Sequence, residues 1–267
     1  MRYYLDVYRV LINRSLVIQF QYRASMSIWL LGRVIEPLMF LVVWQTIAES
    51  KGGSVGSYST ADFAAYYIIV MMVSHLTFTW IMHEFEHLVR QGTLSTQLLR
   101  PVHPIHEAIA DNVAYKMLTV VIMLPVAFLL AWLFEAAFDF QLWTILAFIP
   151  ALLLAALLRF ITGWTLALGA FWITRVQAIN SLYFVSMFFF AGRLAPLELF
   201  PDWVRTLASL TPFPWMLLFP VELLLGRLSV QDTLLGFGIQ IVWLVICFGL
   251  MRVIWTAGVK HFSAVGA

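Results

Sequence analysis

Residues 83–87 read His-Glu-Phe-Glu-His, a pattern with the residue types and spacing of a hydrolytic metal site. Two imidazoles four residues apart share one face of a helix and can hold zinc, with the carboxylate between them as general base toward a bound water. Such a site needs a third protein ligand. His103, His106 and Glu107 follow in the chain, but at no recognised spacing. The plainer reading of the pentapeptide is a polar helix end reaching out of an apolar environment. Nucleotide hydrolysis through a phosphate-cradling loop is excluded, because that loop places Gly before its Lys. The lysines are Lys51, Lys116 and Lys260, preceded by Ser50, Tyr115 and Val259. Cys247 is the single cysteine, so neither an intrachain disulfide nor a cysteine-based metal cluster can form.

The other chemically capable residues stand alone in apolar runs, where a charge costs about 2.5–3.5 kcal/mol on insertion scales. Arg33 and Glu36 are three apart on one helix and can pair, snorkel to the interface or serve a contact between subunits. Arg159 calls for a buried partner on another helix or a place on a polar pathway, and His75 reads as a packed, satisfied imidazole. Phe188, Phe189 and Phe190 form a ring cluster that either packs or lines an apolar route.

The elements that position these groups belong in a bilayer. Of 267 residues, 62% are hydrophobic and 11% charged, against roughly 45–50% and 25% in soluble domains. That charge is too sparse to clothe a soluble enzyme, and a net charge of +2 is too small for a nucleic-acid partner. A spanning helix needs about 20 mostly apolar residues. Six runs are read as spans, at 26–48, 63–83, 117–134, 142–173, 179–192 and 232–256, the fifth short and the fourth long enough to tilt or project beyond the bilayer. With the N-terminus inside, ten Lys and Arg fall in inner segments and four (Lys51, Arg193, Arg205, Arg227) outside, so both termini are expected in the cytoplasm. No internal repeat or long linker divides residues 1–267, which read as one membrane domain.

Residues 1–25 are too interrupted by Arg9, Asn13, Arg14 and Gln19 for a cleaved signal. Arg2, Asp6, Arg9 and Asn13 oppose Tyr4, Val7, Leu11 and Ile18, the pattern of an interfacial helix spoiled only by Arg14. The stretch 49–62, with Gly52, Gly53 and Gly56, reads as a flexible outer loop. On the inner side, region 84–112 is punctuated. The second helix is expected to run on to Gln91, where Gly92 ends it in a left-handed conformation. A short helix capped by Thr93 or Ser95 then carries Leu94, Leu98 and Leu99 on one side, Pro101 stops it, and Pro104 opens the next helix. The leucines, with Arg100 beside them, either seek a partner or fold back on the protein's own helices. On the outer side, 193–229 stays apolar although Pro196, Pro201, Pro212, Pro214 and Pro220 forbid one continuous helix. Helices at 202–210 and 214–225 that dip into the leaflet and return satisfy both constraints.

Three segments, VRQGTLSTQLLRPVHP (89–104), FPDWVRTLASLTPFPWMLLFPVELLLG (200–226) and HFSAVGA (261–267), together with span order and length, resemble the permease subunits of type 2 ATP-binding cassette exporters, in the small six-span branch. The resemblance implies an all-α integral membrane fold of six spans in a prokaryotic plasma membrane. Residues 1–25 become the interfacial helix, a coupling helix lies between spans 2 and 3, and re-entrant outer helices lie between spans 5 and 6. It further implies a second permease, identical or related, and two cytoplasmic ATPase subunits that hold the ATP and Mg. Gly92, Leu94, Leu98, Leu99, Arg100 and Pro101 would then transmit force from those ATPases, and Arg159 with Phe188, Phe189 and Phe190 would lie on the pathway. The competing class is a proton-coupled secondary transporter, which ordinarily carries carboxylates near the midplane. Glu36 is the acid that offers this here.

Overall fold

Backbone amides in hydrocarbon must bond within their own segment, and the apolar runs of this chain are helices throughout. In the computed structural model the described residues are 2–173 and 175–262, without the side chains of Arg2 and Arg23. The helices are α1 (Arg2–Gln21), α2 (Arg23–Ser50), α3 (Thr60–Thr77), α4 (Ile81–Arg90), α5 (Leu94–Leu98), α6 (Pro104–Leu133), α7 (Leu142–Ala167), α8 (Gln177–Phe190), α9 (Asp202–Ser209), α10 (Phe213–Met216), α11 (Leu218–Leu224) and α12 (Val230–His261). Short 3-10 turns follow at Leu168–Phe171 and Leu197–Leu199.

Among the described residues, five segments are long and apolar enough to cross a bilayer: Ala24–Ser50, Thr60–Arg90, Pro104–Leu133, Leu142–Phe171 and Val230–His261. The fifth expected run is α8, whose 14 residues extend only about 21 Å at the helical rise. The second expected span is not one helix. It breaks between Thr77 and Ile81, with Phe78 extended (φ −61°, ψ 146°). Side chains brace the break. Arg159 Nη1 donates to Thr77 Oγ1 at 2.8 Å and to Ser74 O at 3.4 Å, and Asn112 Nδ2 donates to Phe78 O at 3.1 Å.

Helix α6 opens at Pro104, as expected, and runs without interruption through the span read at 117–134. Its polar first turns are helical because α1 covers them. Arg14 pairs with Glu107, Ser15 donates to Asp111, and Gln19 Nε2 donates to Asp111 O at 2.9 Å. The docked face of α1 is therefore the polar Tyr8–Ser15–Gln19 side, while Leu5, Val10, Val17 and Ile18 stay exposed. Arg14, which spoils the apolar stripe in the sequence, is spent on that ion pair.

Residues 49–62 are more ordered than a flexible loop. Ser54–Val55 and Tyr58–Ser59 pair as an antiparallel hairpin, and Ser59 with Asp62 forms a capping box on α3. The expected helix at 214–225 is divided into α10 and α11 by Leu217 (φ −143°, ψ −59°).

Helix α3 is the core. Of the most apolar window of 60–90, 83% is buried, against 17% for α2, so α3 is surrounded while α2 faces outward. The long helices α7 and α12 lie against each other. A Cβ at Gly258 would stand 2.2 Å from Phe171 Cδ2, so only glycine lets α12 come this close. Two ends result. Residues 91–103 meet α12 through His103 and Trp255 (ring centroids 4.2 Å), and beside them α4 meets the turn that follows α7 through Phe85 and Phe171 (5.5 Å). At the opposite end the hairpin meets 197–199 and Arg227, where Ser57 Oγ donates to Glu198 at 2.8 Å and Arg227 Nη1 donates to Ser57 Oγ at 2.8 Å.

Candidate functional site

The Gly92 end carries a small knob built on an amphipathic lever. Helix α4 buries Ile81, Met82 and Phe85 on one face. Phe85 packs at a tilt against Trp164 (5.2 Å) and edge-on to Phe171, joining α4 to α7 and the turn after it. Gly92 turns the chain at φ +71°, a conformation that costs an L side chain. Neither Thr93 nor Ser95 caps α5 by accepting an amide. Their hydroxyls donate to Leu88 O (3.3 Å) and Gly92 O (2.6 Å) instead.

The three leucines do not share an outward side. Leu94 is fully buried, Leu98 packs partly against the same core, and Leu99 is 87% exposed. Arg100 is exposed, 3.6 Å from Glu107, and Pro101 is exposed. His103 caps α6, its Nδ1 accepting from Ile105 N at 3.1 Å. Burial, with His106 nearby, holds the His103 imidazole below its usual range, which keeps it neutral and able to accept. The knob thus has an inner anchor (Leu94, Leu98) and an outer tip (Leu99, Arg100, Pro101).

The pentapeptide 83–87 lies on α4, and its candidate third ligands are engaged elsewhere. His83 lies against Trp80 (ring centroids 4.6 Å), His106 Nδ1 bonds Tyr8 Oη at 2.8 Å, and Glu107 serves Arg14 and Arg100. Among the described residues no group of three His, Cys, Asp or Glu side chains is placed to hold a metal.

Polar groups within the bundle are mostly joined between distant segments. Arg33 and Glu36 do not pair. Glu36 accepts from Arg193 Nη2 at 2.7 and 2.8 Å, and the Arg33 guanidinium lies 3.4 Å from the centre of the Phe78 ring. Arg159 is fully enclosed at the α3 break, with Tyr183 beside it. His75 is buried and bonded to Thr119 at 2.8 Å. Of the three phenylalanines, Phe188 turns to Phe40 (5.5 Å) and meets Phe189 edge-on (5.3 Å), Phe190 turns to Phe213 (6.3 Å), and Phe189 is exposed. Sequence reasoning missed Arg193 as the partner of Glu36. It also missed Gln240, whose Nε2 donates to Trp215 O (2.9 Å) and Ala151 O (3.2 Å) and ties α12 to α10 and α7. A Gln in the middle of an apolar helix is the signal that would have flagged it.

At the hairpin end, Arg227 lies 3.6 Å from the Tyr58 ring centre and 3.7 Å from Asp62. Beside it is Glu222, whose carboxyl is pushed by burial up to about 7, with Arg227 pulling it down and Glu198 pushing it up. Between about pH 4.5 and 7 the folded chain then holds a proton that the unfolded chain has released, so stability falls as pH rises through that window. Glu222→Gln is expected to leave the melting temperature in nanodiscs nearly unchanged near pH 5. Near pH 8 it should raise stability by at most about 3 kcal/mol. Equal shifts at both pH values would show that the carboxylate bears no burial cost.

A family model described as ABC-2 family transporter protein matches residues 34–266. The chain belongs to the ABC-2 transporter family. A search of curated proteins gives no match. The ABC-2 match takes in the knob, the broken region 193–229 and α12, and it leaves α1 and the first turns of α2 outside. Of the closing segment 261–267, His261 and Phe262 are described and the remainder lies outside the described residues. With five apolar helices of spanning length, this ABC-2 protein is a multi-pass membrane permease, the membrane component rather than the ATPase.

Proposed function

We propose that the chain is the permease subunit of an ATP-driven exporter, working with a second permease, identical or related, and with two cytoplasmic ATPase subunits that bind ATP and Mg. The observation that carries this reading is the knob: a five-residue helix, wedged into the core by Leu94, that presents Leu99 and Arg100 outward. An exposed leucine on so short and so firmly seated an element gains by burial in a partner's cleft. Motion imposed there reaches the bundle through α4 and the rings of Phe85, Trp164 and Trp255, because packed interiors shift as units.

A six-span count is favoured by the path of the chain. Helix α7 ends among the rings at the Gly92 end, α12 starts at the hairpin end, and α8 is the helix between them that makes the passage. Its shortness is compensated by residues 191–229, which return into the membrane as re-entrant helices. Trp44 Nε1 and Tyr67 Oη both donate to Leu194 O, at 2.9 and 2.8 Å, and fasten that return. The excess of Lys and Arg at the Gly92 end favours cytoplasmic termini in a prokaryotic plasma membrane.

The test is purification in gentle detergent with identification of the accompanying chains, followed by reconstitution in sealed vesicles. A co-purifying ATPase, and transport that needs ATP but survives collapse of the proton gradient, are expected. Full transport by the isolated chain, driven by the proton gradient, would overturn the reading.

A further inference from the structure

A cavity of about 440 Å³ opens between α1, α2, the α3–α4 break and α6, within the roughly 300–1,000 Å³ range of small-ligand sites. One wall is aromatic and apolar, formed by Met26, Trp29, Phe78 and Trp80. The other is polar, and its charges sort cleanly by partner. Arg14 is paired with Glu107, and Asp111 accepts from Ser15. Arg33 and Glu84 also line the cavity, yet neither forms a hydrogen bond or ion pair with a described residue, nor do they pair with each other. The cavity therefore holds a guanidinium whose N–H donors lack an acceptor and a carboxylate that lacks a donor.

We propose that this cavity binds the headgroup of an aminophospholipid from the leaflet on the Gly92 side. Its phosphate lies on Arg33, and its ammonium donates to Glu84. A guanidinium is suited to phosphate oxygens, and a primary ammonium supplies the donors that a carboxylate lacks. A choline headgroup has no N–H to give to Glu84. An anionic headgroup without an amine leaves Glu84 unpaired. The source is the bilayer because Arg33 sits within a helix of spanning length, among Ile28, Trp29 and Leu31, whose side chains are exposed. The site needs no ATPase, so it stands or falls separately from the coupling assignment.

The test uses the full chain in nanodiscs of phosphatidylcholine with or without phosphatidylethanolamine, and native mass spectrometry to read bound lipid. Wild type is expected to prefer the ethanolamine lipid by about tenfold, the scale of one charge-assisted interaction. Glu84→Gln should abolish that preference while still holding phospholipid. Arg33→Gln should weaken both lipids by about tenfold, with Arg33→Lys restoring part of the loss. A second measurement needs no variant: a photoreactive ethanolamine lipid is expected to label peptides covering 26–33, 78–84 and 108–115. Equal retention of choline and ethanolamine lipids by wild type, labelling confined to other peptides, or complete displacement by soluble phosphoethanolamine would overturn the proposal.

Discussion

Leu94→Asp is expected to collapse the knob and Leu99→Asp to disconnect it, although the two residues lie five positions apart on one short element. Leu94 has no exposed surface, so a carboxylate there is buried without a partner. The cost is the lost apolar burial plus desolvation of a charge, about 3–5 kcal/mol. Melting temperature in nanodiscs should fall sharply and the knob should become protease-sensitive. Leu99 is almost wholly exposed, so the same substitution should leave the stability within about 0.5 kcal/mol of wild type. What it should remove is ATPase retention on co-purification and ATP-dependent transport, at least about tenfold, by placing a charge where an apolar contact is required. Normal ATPase retention by Leu99→Asp would remove the docking role. An unchanged melting temperature for Leu94→Asp would show that the anchor is not one.

Arg193→Ala is expected to cost about 3 kcal/mol, well above the usual worth of a water-exposed pair, because it strands Glu36 within a helix of spanning length. The arginine side chain is only 13% exposed, so water does not replace it. Removing both partners should hurt less than removing Arg193 alone. A double-mutant cycle with Glu36→Ala, read by melting in nanodiscs, measures this. If the double variant loses the full sum of the two single losses, the two groups do not depend on each other.

The long apolar segments were legible because twenty residues of hydropathy leave few alternatives in a bilayer. The turn at Gly92, the end of α5 near Pro101 and the start of α6 at Pro104 were legible for a similar reason, since glycine and proline restrict the backbone locally. The α3 break was not. Thr77, Phe78, Thr79 and Trp80 are no more polar than their neighbours, and the interruption rests on Arg159 and Asn112, which lie 82 and 34 residues away. The pairing of Glu36 was hidden likewise, because Arg33 was near in sequence while Arg193, 157 residues on, was near in space. For the knob, spacing gave leucines four apart a common face but could not say whether it turned inward. Leu98 and Leu99 then separate by about 100° around the axis, which is why one packs and its neighbour does not. On α1 the apolar stripe read as an interfacial face, and it gave no sign that the opposite, polar side would hold the helix to α6 through Tyr8, Arg14, Ser15 and Gln19.

The enclosure of α3 also sets a requirement on its birth. A helix that ends wrapped by its own chain is first released into lipid, before its later neighbours exist, so its sequence answers to two successive solvents. Uniform greasiness suits the first. The hydroxyls of Tyr66 and Tyr67 suit the second, since the carbonyls of Gly192 and Leu194 that they will bond are synthesised more than a hundred residues later. Maturation of this pillar is therefore incomplete until the last third of the polypeptide has emerged.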